Sequence, residues 1–276
     1  MIIGIIPNKN DGWILEANLK IFSKICDKII IGLDNCTDDS ENIVKKFDNI
    51  LIIKNPNSEL APNNHNRRQA LLEKARELTN NPIIIAVDAD EIFSEEILNE
   101  ENLQIIKNLD YQTVLEVKFR ELWFSPFLYR SEKNSVWAGR LMSCIWKDNG
   151  LDYPFNNWHE VRVPENKKKK FLNVELIHFA RVLPLKYWSR MRYYIARDIY
   201  VSKKNSIKTN FHYAVVHSQK DMVLSPIKKN WLRKVLFYYK EKTLIGTSAS
   251  YESLLTSLKF KKINKIFFYL IKLIIY

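Results

Sequence analysis

Asp88 and Asp90 stand one residue apart directly after the apolar run Pro82 to Val87, with Glu91 next in line. Carboxylates at alternate positions leave an extended chain on the same side, so two of them can share a divalent cation and, through it, a diphosphate. The run before them is short, continuously apolar and opened by a proline, the pattern of a strand buried on both faces inside a parallel sheet. In open α/β sheets the ligand crevice lies outside the carboxyl ends of such strands, where these carboxylates would emerge. A solvated turn or a helix cap has the same composition, so the chemistry depends on the elements around it.

Those elements are legible as an alternation of strand and helix signals. Ile2 to Ile6 reads as a first strand, Trp13 to Ser23 as a helix and Lys28 to Leu33 as a second strand. Asp38 and Glu41 form a capping pair for a helix ending near Phe47. Ile50 to Ile53 is a third strand, and after a polar loop from Asn55 to Asn66 a helix over Arg67 to Leu78 leads to the strand before Asp88. The fold class expected is α/β, a mixed or parallel sheet flanked by helices, with a nucleotide-binding half over residues 1–93. Residues 94–200 read as a second, acceptor half, with mixed strand signals in Thr113 to Phe124 and Gly139 to Trp146. Lys167 to Lys170 reads as a solvated hairpin tip or loop. From Pro184 onward Tyr187, Trp188, Met191, Tyr194 and Ile195 recur at helical spacing, as packing residues.

Residues 201–276 read as a helical, basic and aromatic C-terminal extension. Within it, Leu258 to Tyr276 falls short of the roughly 20 apolar residues of a spanning helix. Two readings stay open for it: an interfacial helix on an anionic membrane surface, or a helix docked on the core.

Composition narrows the classes. The 276 residues are 46% hydrophobic and 12% aromatic, which excludes a disordered chain, and 6 glycines argue against a glycine-rich phosphate loop. The net charge of +12 concentrates anions near the surface and implies an anionic partner. Nucleic acid is not expected, because no recognisable nucleic-acid module accompanies the charge. Cys26, Cys36 and Cys144, odd in number and scattered, fit a reducing compartment better than a disulfide framework. Met1 to Ile6 lacks the basic flank of a signal peptide and ends at Pro7, consistent with a cytoplasmic protein, peripheral at most on the inner face of the membrane.

Further segments stand in a telling order along the chain: Leu33-Asp34-Asn35-Cys36-Thr37-Asp38-Asp39-Ser40, Asn66-Arg67-Arg68-Gln69-Ala70-Leu71, Arg140-Leu141-Met142, Asn157-Trp158-His159-Glu160-Val161 and Leu176-Ile177-His178-Phe179-Ala180-Arg181. Together with Asp88-Ala89-Asp90-Glu91 they resemble the family 2 glycosyltransferases of the GT-A fold, among them bacterial surface-glycan transferases, over Met1 to about Arg197. The resemblance implies that Asp34 contacts the nucleotide base and that Arg67 or Arg68 lies near the donor diphosphate. It implies Asp88 beside the ribose or a metal-bound water, and Asp90 with His178 at a divalent cation, Mg²⁺ or Mn²⁺. A direct His178 ligand favours Mn²⁺. Trp158 and His159 would stand on the acceptor side, with Glu160 as the base. Loop Pro7 to Asp11 and the C-terminal third depart from the family pattern.

The activity so implied is inverting transfer of a sugar from a nucleotide-diphosphate donor, a UDP-sugar first, to a glycan or lipid-linked acceptor in surface polysaccharide or lipopolysaccharide synthesis. Each residue also has a plainer reading. Glu160 can pair with Arg162 across a strand, His159 can be a packed imidazole, His178 a satisfied core histidine, and Asp152 is a second candidate base. Rival functions are nucleotidyl transfer to a sugar phosphate, which normally wants glycines after the first strand, and a non-enzymatic basic scaffold.

Overall fold

The structure is a computed structural model that describes residues 1–54, 64–133, 137–154, 161–164, 168–200, 204–216, 222–228 and 230–232. Its elements run β1 (Ile2–Asn8), α1 (Gly12–Ile25), β2 (Lys28–Leu33), α2 (Ser40–Val44), β3 (Ile50–Lys54), α3 (Asn64–Leu78), β4 (Ile83–Ala86), β5 (Glu91–Phe93), α4 (Glu100–Lys107), β6 (Thr113–Glu121), β7 (Leu128–Arg130), β8 (Leu141–Lys147), β9 (Lys168–His178), α5 (Pro184–Tyr200), α6 (Ser206–Val216) and β10 (Leu224–Pro226). The α/β class and the mixed sheet flanked by helices are as the sequence implies.

Eight strands form one sheet in the order β3-β2-β1-β4-β8-β6-β9-β5. The first four are parallel; β8 then runs antiparallel to both β4 and β6, while β9 is parallel to β6 and β5 antiparallel to β9. It follows that β1, β2, β4, β6 and β9 all end at one edge of the sheet, and β5 begins there.

The period of two in the strands sends isoleucines to both faces. Ile3, Ile5, Ile30, Ile84 and Ala86 meet Leu71, Leu72 and Ala75 of α3 on one side. Ile6, Ile29, Ile31 and Ile85 meet Ile14, Leu15, Leu19 and Phe22 of α1 on the other. Each fully buried isoleucine contributes roughly 1.5–3 kcal/mol of transfer free energy, which is why the run before Asp88 behaves as an interior strand. Gly4 is required by close packing: a Cβ there would stand 2.6 Å from the Phe22 ring.

Two local expectations are corrected. Asp38 and Glu41 do not form a reciprocal capping pair. The short α2 follows Asp39; Asp38 Oδ1 accepts from the Ser40 amide that opens the helix at 3.1 Å and from Ser40 Oγ at 2.6 Å, its Oδ2 accepts from Gly12 N at 2.8 Å, and Glu41 pairs with Lys45 and Lys54. The lysine run is not a loop tip: Lys168, Lys169 and Lys170 open β9 in register with Thr113, Val114 and Leu115 of β6. Their side chains stay exposed at the sheet margin, so strand pairing costs them no hydration.

The aromatics of α5 pack as expected: Tyr187, Trp188 and Met191 form a buried cluster with Phe124, Tyr194 and Tyr213. Beyond residue 200, β10 pairs antiparallel with β7, and Trp231 and Leu232 are buried in the same core as α1. Among the described residues no helix is long and apolar enough to cross a membrane. Leu258 to Tyr276 lies outside the described residues.

Candidate functional site

The shared carboxyl edge collects most of the chemistry in the chain. Asp11 follows β1, Asp34 follows β2, Asp88 and Asp90 follow β4, Glu121 closes β6 and His178 closes β9. The loops after β1 and β2 must turn sharply there, and asparagine supplies the left-handed backbone in each, at Asn10 (φ 56) and Asn35 (φ 45). The scarcity of glycine is thus no obstacle to tight turns at this edge. Asn10 Oδ1 accepts the Thr37 amide at 2.7 Å and holds the two loops together.

Two arginines in the first turn of α3 face different carboxylates. Arg67 Nη1 lies 2.9 Å from Asp34 Oδ2, and Lys9 Nζ lies 3.5 Å from the same oxygen. Arg68, almost wholly buried, donates to Asp88 Oδ1 at 2.6 Å. The adjacent pair that spacing left unresolved is therefore separated by geometry, Arg67 towards the end of β2 and Arg68 towards the end of β4. Asp88 Oδ2 accepts from Arg162 Nη2 at 3.1 Å, and the same guanidinium grips the buried Glu91 with both nitrogens. Burial opposes a charge on Arg162, yet Glu91 and Asp88 hold its pKa well above the ordinary arginine value.

Asp90 belongs to a second cluster. Pairing of β5 with β9 sets Glu91 opposite His178, and pairing of β6 with β9 sets Glu121 opposite it on the other side. His178 Nδ1 is 2.9 Å and 3.1 Å from the two Glu121 oxygens, and its Nε2 is 3.4 Å from Asp90 Oδ1. Arg190 of α5 donates to Asp90 Oδ2 at 3.0 Å, and Arg181 pairs with Glu121.

Burial works against every charge here, but the partners prevail. Glu121 is lowered to about 2 by Arg181 and His178, and His178 is raised to about 10 by Glu121 and Asp90. Asp90, despite its burial, is held well below the usual carboxylate range by His178 and Arg190. A third carboxylate, Asp11, joins through Arg190 Nη2 at 3.4 Å and through Lys186, whose ammonium also donates to Asn10 O at 2.6 Å.

Of the expected site residues, Asp34, Arg67, Arg68, Asp88, Asp90 and His178 come together at this edge. Trp158, His159 and Glu160 lie outside the described residues. Arg162, weighed as a partner for Glu160, is fixed on Glu91 and Asp88. Asp152 stands apart, two-thirds exposed and bound to Arg76 at 2.7 Å and Gln69 at 2.8 Å. The residues that sequence reasoning missed are Asp11, Glu121, Lys186 and Arg190. The available signals were a carboxylate at another strand end and two basic residues four apart on an otherwise apolar helix face.

A divalent cation was the expected companion of Asp90 and His178, and the donor atoms as arranged do not fit one. Both oxygens of Asp88 and both of Asp90 are engaged by basic side chains. Each ring nitrogen of His178 faces a carboxylate, Nδ1 that of Glu121 and Nε2 that of Asp90. Among the described residues no group of three or more His, Cys, Asp or Glu side chains is disposed to hold a metal ion.

No family model and no curated protein matches the chain. Among solved structures it is distantly similar to residues 1–349 of S. aureus TarS, with a TM-score of 0.42 and 15% identity over 80% of this chain and 74% of that one. Against the same protein in complex with UDP-GlcNAc, the TM-score is 0.42 and the identity 14%, over 94% and 79%. A glucosyl-3-phosphoglycerate synthase from Mycobacterium tuberculosis, solved with Mn²⁺, UDP and phosphoglyceric acid, gives a TM-score of 0.29 and 17% identity over 44% and 43%. A 4-diphosphocytidyl-2C-methyl-D-erythritol synthase gives 0.34 and 16%, over 53% and 73%.

Proposed function

We propose that the chain is an inverting glycosyltransferase that moves one sugar from a nucleotide-diphosphate donor, a UDP-sugar first, to a glycan or lipid-linked acceptor of a bacterial surface polysaccharide or lipopolysaccharide. The observation that supports this most is a convergence. Asp34 with Arg67 and Asp88 with Arg68, drawn from β2, α3 and β4, stand side by side at the carboxyl edge of a mixed sheet, where an α/β fold binds nucleotides. The residues are those that the family resemblance assigns to base, ribose and diphosphate. In this reading residues 1–200 form the transferase domain, onto which β10, Trp231 and Leu232 of the 201–276 extension pack, and Leu258 to Tyr276 docks either on that core or on an anionic membrane surface.

The chemistry asks for charge at the leaving group, a base for the acceptor and exclusion of water. An acceptor oxygen attacks the anomeric carbon and a new C–O bond forms on the face opposite the diphosphate. The old C–O bond breaks with its electron pair passing to the diphosphate oxygen, and the acceptor proton passes to the Glu160 carboxylate. Inversion at the anomeric carbon follows. Arg67 lines the donor side with a fixed fork of donors suited to phosphate oxygens. Arg162, two residues beyond Glu160, is clamped on Glu91 and Asp88, which ties the segment next to the base to the donor edge.

Calorimetric titration of UDP and GDP into the purified chain tests the reading, followed by turnover with nucleotide sugars. Saturable binding of one nucleotide is expected. Glu160→Gln should keep that affinity while lowering turnover by about 10²–10⁴, the usual contribution of a general base. Near-normal turnover in Glu160→Gln would remove the base assignment, and absence of binding by either nucleotide would remove the donor.

A further inference from the structure

Charge at the carboxyl edge is arranged in an order that bears on how a diphosphate would be held. A motif of two alternate carboxylates normally earns its place by presenting free oxygens to a cation. Here the oxygens of Asp90 already hold the Arg190 guanidinium at 3.0 Å and the His178 ring at 3.4 Å. Those of Asp88 hold Arg68 at 2.6 Å and Arg162 at 3.1 Å.

Arg190 is the most informative of these partners. It reaches Asp90 with one terminal nitrogen and Asp11 with the other, so its guanidinium plane is fixed between the ends of β4 and β1. Lys186, one turn earlier on α5, shares the same Asp11 oxygen, Oδ1, with Arg190. Arg190 keeps 14% of its side-chain surface open, against 1% for Arg68, so it can meet a ligand while Arg68 serves as support. A guanidinium held by two carboxylates is oriented before any phosphate arrives, and little side-chain entropy remains to be lost on binding.

The geometry points to Arg190 as a donor-binding residue that supplies, with Arg67, the positive charge a divalent cation would otherwise bring to the diphosphate, so that nucleotide binding is independent of divalent metal. This inference rests on the glycosyltransferase reading and goes beyond it. In the transfer step the electron pair released from the anomeric C–O bond settles on a diphosphate oxygen, and the charge that builds there is met by guanidinium N–H donors. No proton moves between Arg190 and the phosphate, and Asp90 acts as a positioning residue that holds Arg190 in place.

The test is titration of UDP into the full chain after treatment with EDTA, repeated with Mn²⁺ and with Mg²⁺ in excess. The expected result is a dissociation constant that agrees within about twofold across the three conditions. Affinity that appears only with Mn²⁺ or Mg²⁺, or rises tenfold or more, would overturn the inference while leaving the transferase reading in place. Failure to bind UDP or GDP under any condition would instead overturn that reading, and the inference with it.

In the EDTA condition Arg190→Gln should weaken UDP binding at least tenfold, and added Mn²⁺ should restore part of the loss because Asp90 Oδ2 is released. Wild-type affinity in Arg190→Gln would contradict the role given to Arg190. If that variant fails to fold, Arg190→Lys keeps the charge without the fork, and an affinity unchanged from wild type would count equally against a bidentate contact.

Discussion

Asp88 and Asp90 leave the same turn two positions apart, yet they are neutralised by different chemistry. Around Asp88 the partners are the guanidiniums of Arg68 and Arg162, with Glu91 sharing the second. Around Asp90 they are a guanidinium and an imidazole, and the imidazole is shared with Glu121. Guanidinium stays charged at any pH a folded protein meets, so the first cluster does not titrate through its bases. The second depends on one ring proton. Alternate carboxylates of a single motif can therefore serve two separate charge networks, and spacing alone does not make them one ligand set.

Removing a base from the first cluster should have the largest effect. Arg162→Met leaves Glu91, whose burial already pushes its pKa up, without its guanidinium, and should cost about 3–5 kcal/mol in urea unfolding. A loss below about 1 kcal/mol would mean that the Glu91 contact is not held in solution.

Next in size is the pH dependence of the second cluster. Its histidine is raised from 6.5 to about 10, so its contribution is fully present below pH 6.5 and is lost as pH rises through 10. Its carboxylate Glu121 is lowered from 4.5 to about 2, so that contribution is present above pH 4.5 and lost as pH falls through 2. Stability drawn from the pair should thus be greatest between those inner values, and each pH unit on the alkaline side removes at most about 1.4 kcal/mol. His178→Gln should flatten the alkaline slope in denaturation curves recorded from pH 7 to 10; an unchanged slope would place the titrating group elsewhere.

Smaller effects sharpen the contrast with the rest of the molecule. Asp34→Asn removes the charge that faces Arg67 at the base side of the proposed donor site, and should lower UDP affinity about tenfold, or roughly 1.4 kcal/mol, by calorimetry. The surface pair Lys20 and Glu16, at 2.9 Å one helical turn apart, is the control. Lys20→Ala should change unfolding by less than about 0.5 kcal/mol, since exposed pairs of this kind contribute little.

The sheet was legible because its residues obey local rules. Lys28 to Leu33 was delimited to the residue, and the run before Asp88 differs from β4 only at its ends, since alternating isoleucines facing two helices leave few other arrangements. The capping pair was legible only in part: Asp38 Oδ1 accepts the Ser40 amide that opens α2, but its Oδ2 is taken by the Gly12 amide, far along the chain, and Glu41 turns to Lys45 and Lys54.

The site was half legible for the same reason. Asp34, Asp88, Asp90 and His178 sit at the ends of strands and carry their own signal. Glu121, Lys186 and Arg190 gain their partners only through β6 and α5 folding back across the edge, and their local signals, a strand-end carboxylate and two bases four apart on a helix, do not say which groups they meet. Arg67 and Arg68 show the limit from the other side: adjacent in sequence, they diverge by the roughly 100° of helix rotation between neighbouring residues, and only the placement of α3 against β2 and β4 shows what each meets.

A nucleotide diphosphate bound at the carboxyl edge where these two networks meet would protect the backbone there, which hydrogen exchange measured by mass spectrometry with and without saturating UDP detects. Slowed exchange is expected in residues 8–12, 33–38, 87–93 and 176–182, and no change at the opposite edge, where Met1, Lys24, Asp27, Leu103 and Lys107 line a separate hollow. Protection confined to that opposite edge, or absent from the segment around Asp88 and Asp90 while UDP is bound, would contradict binding at the carboxyl edge.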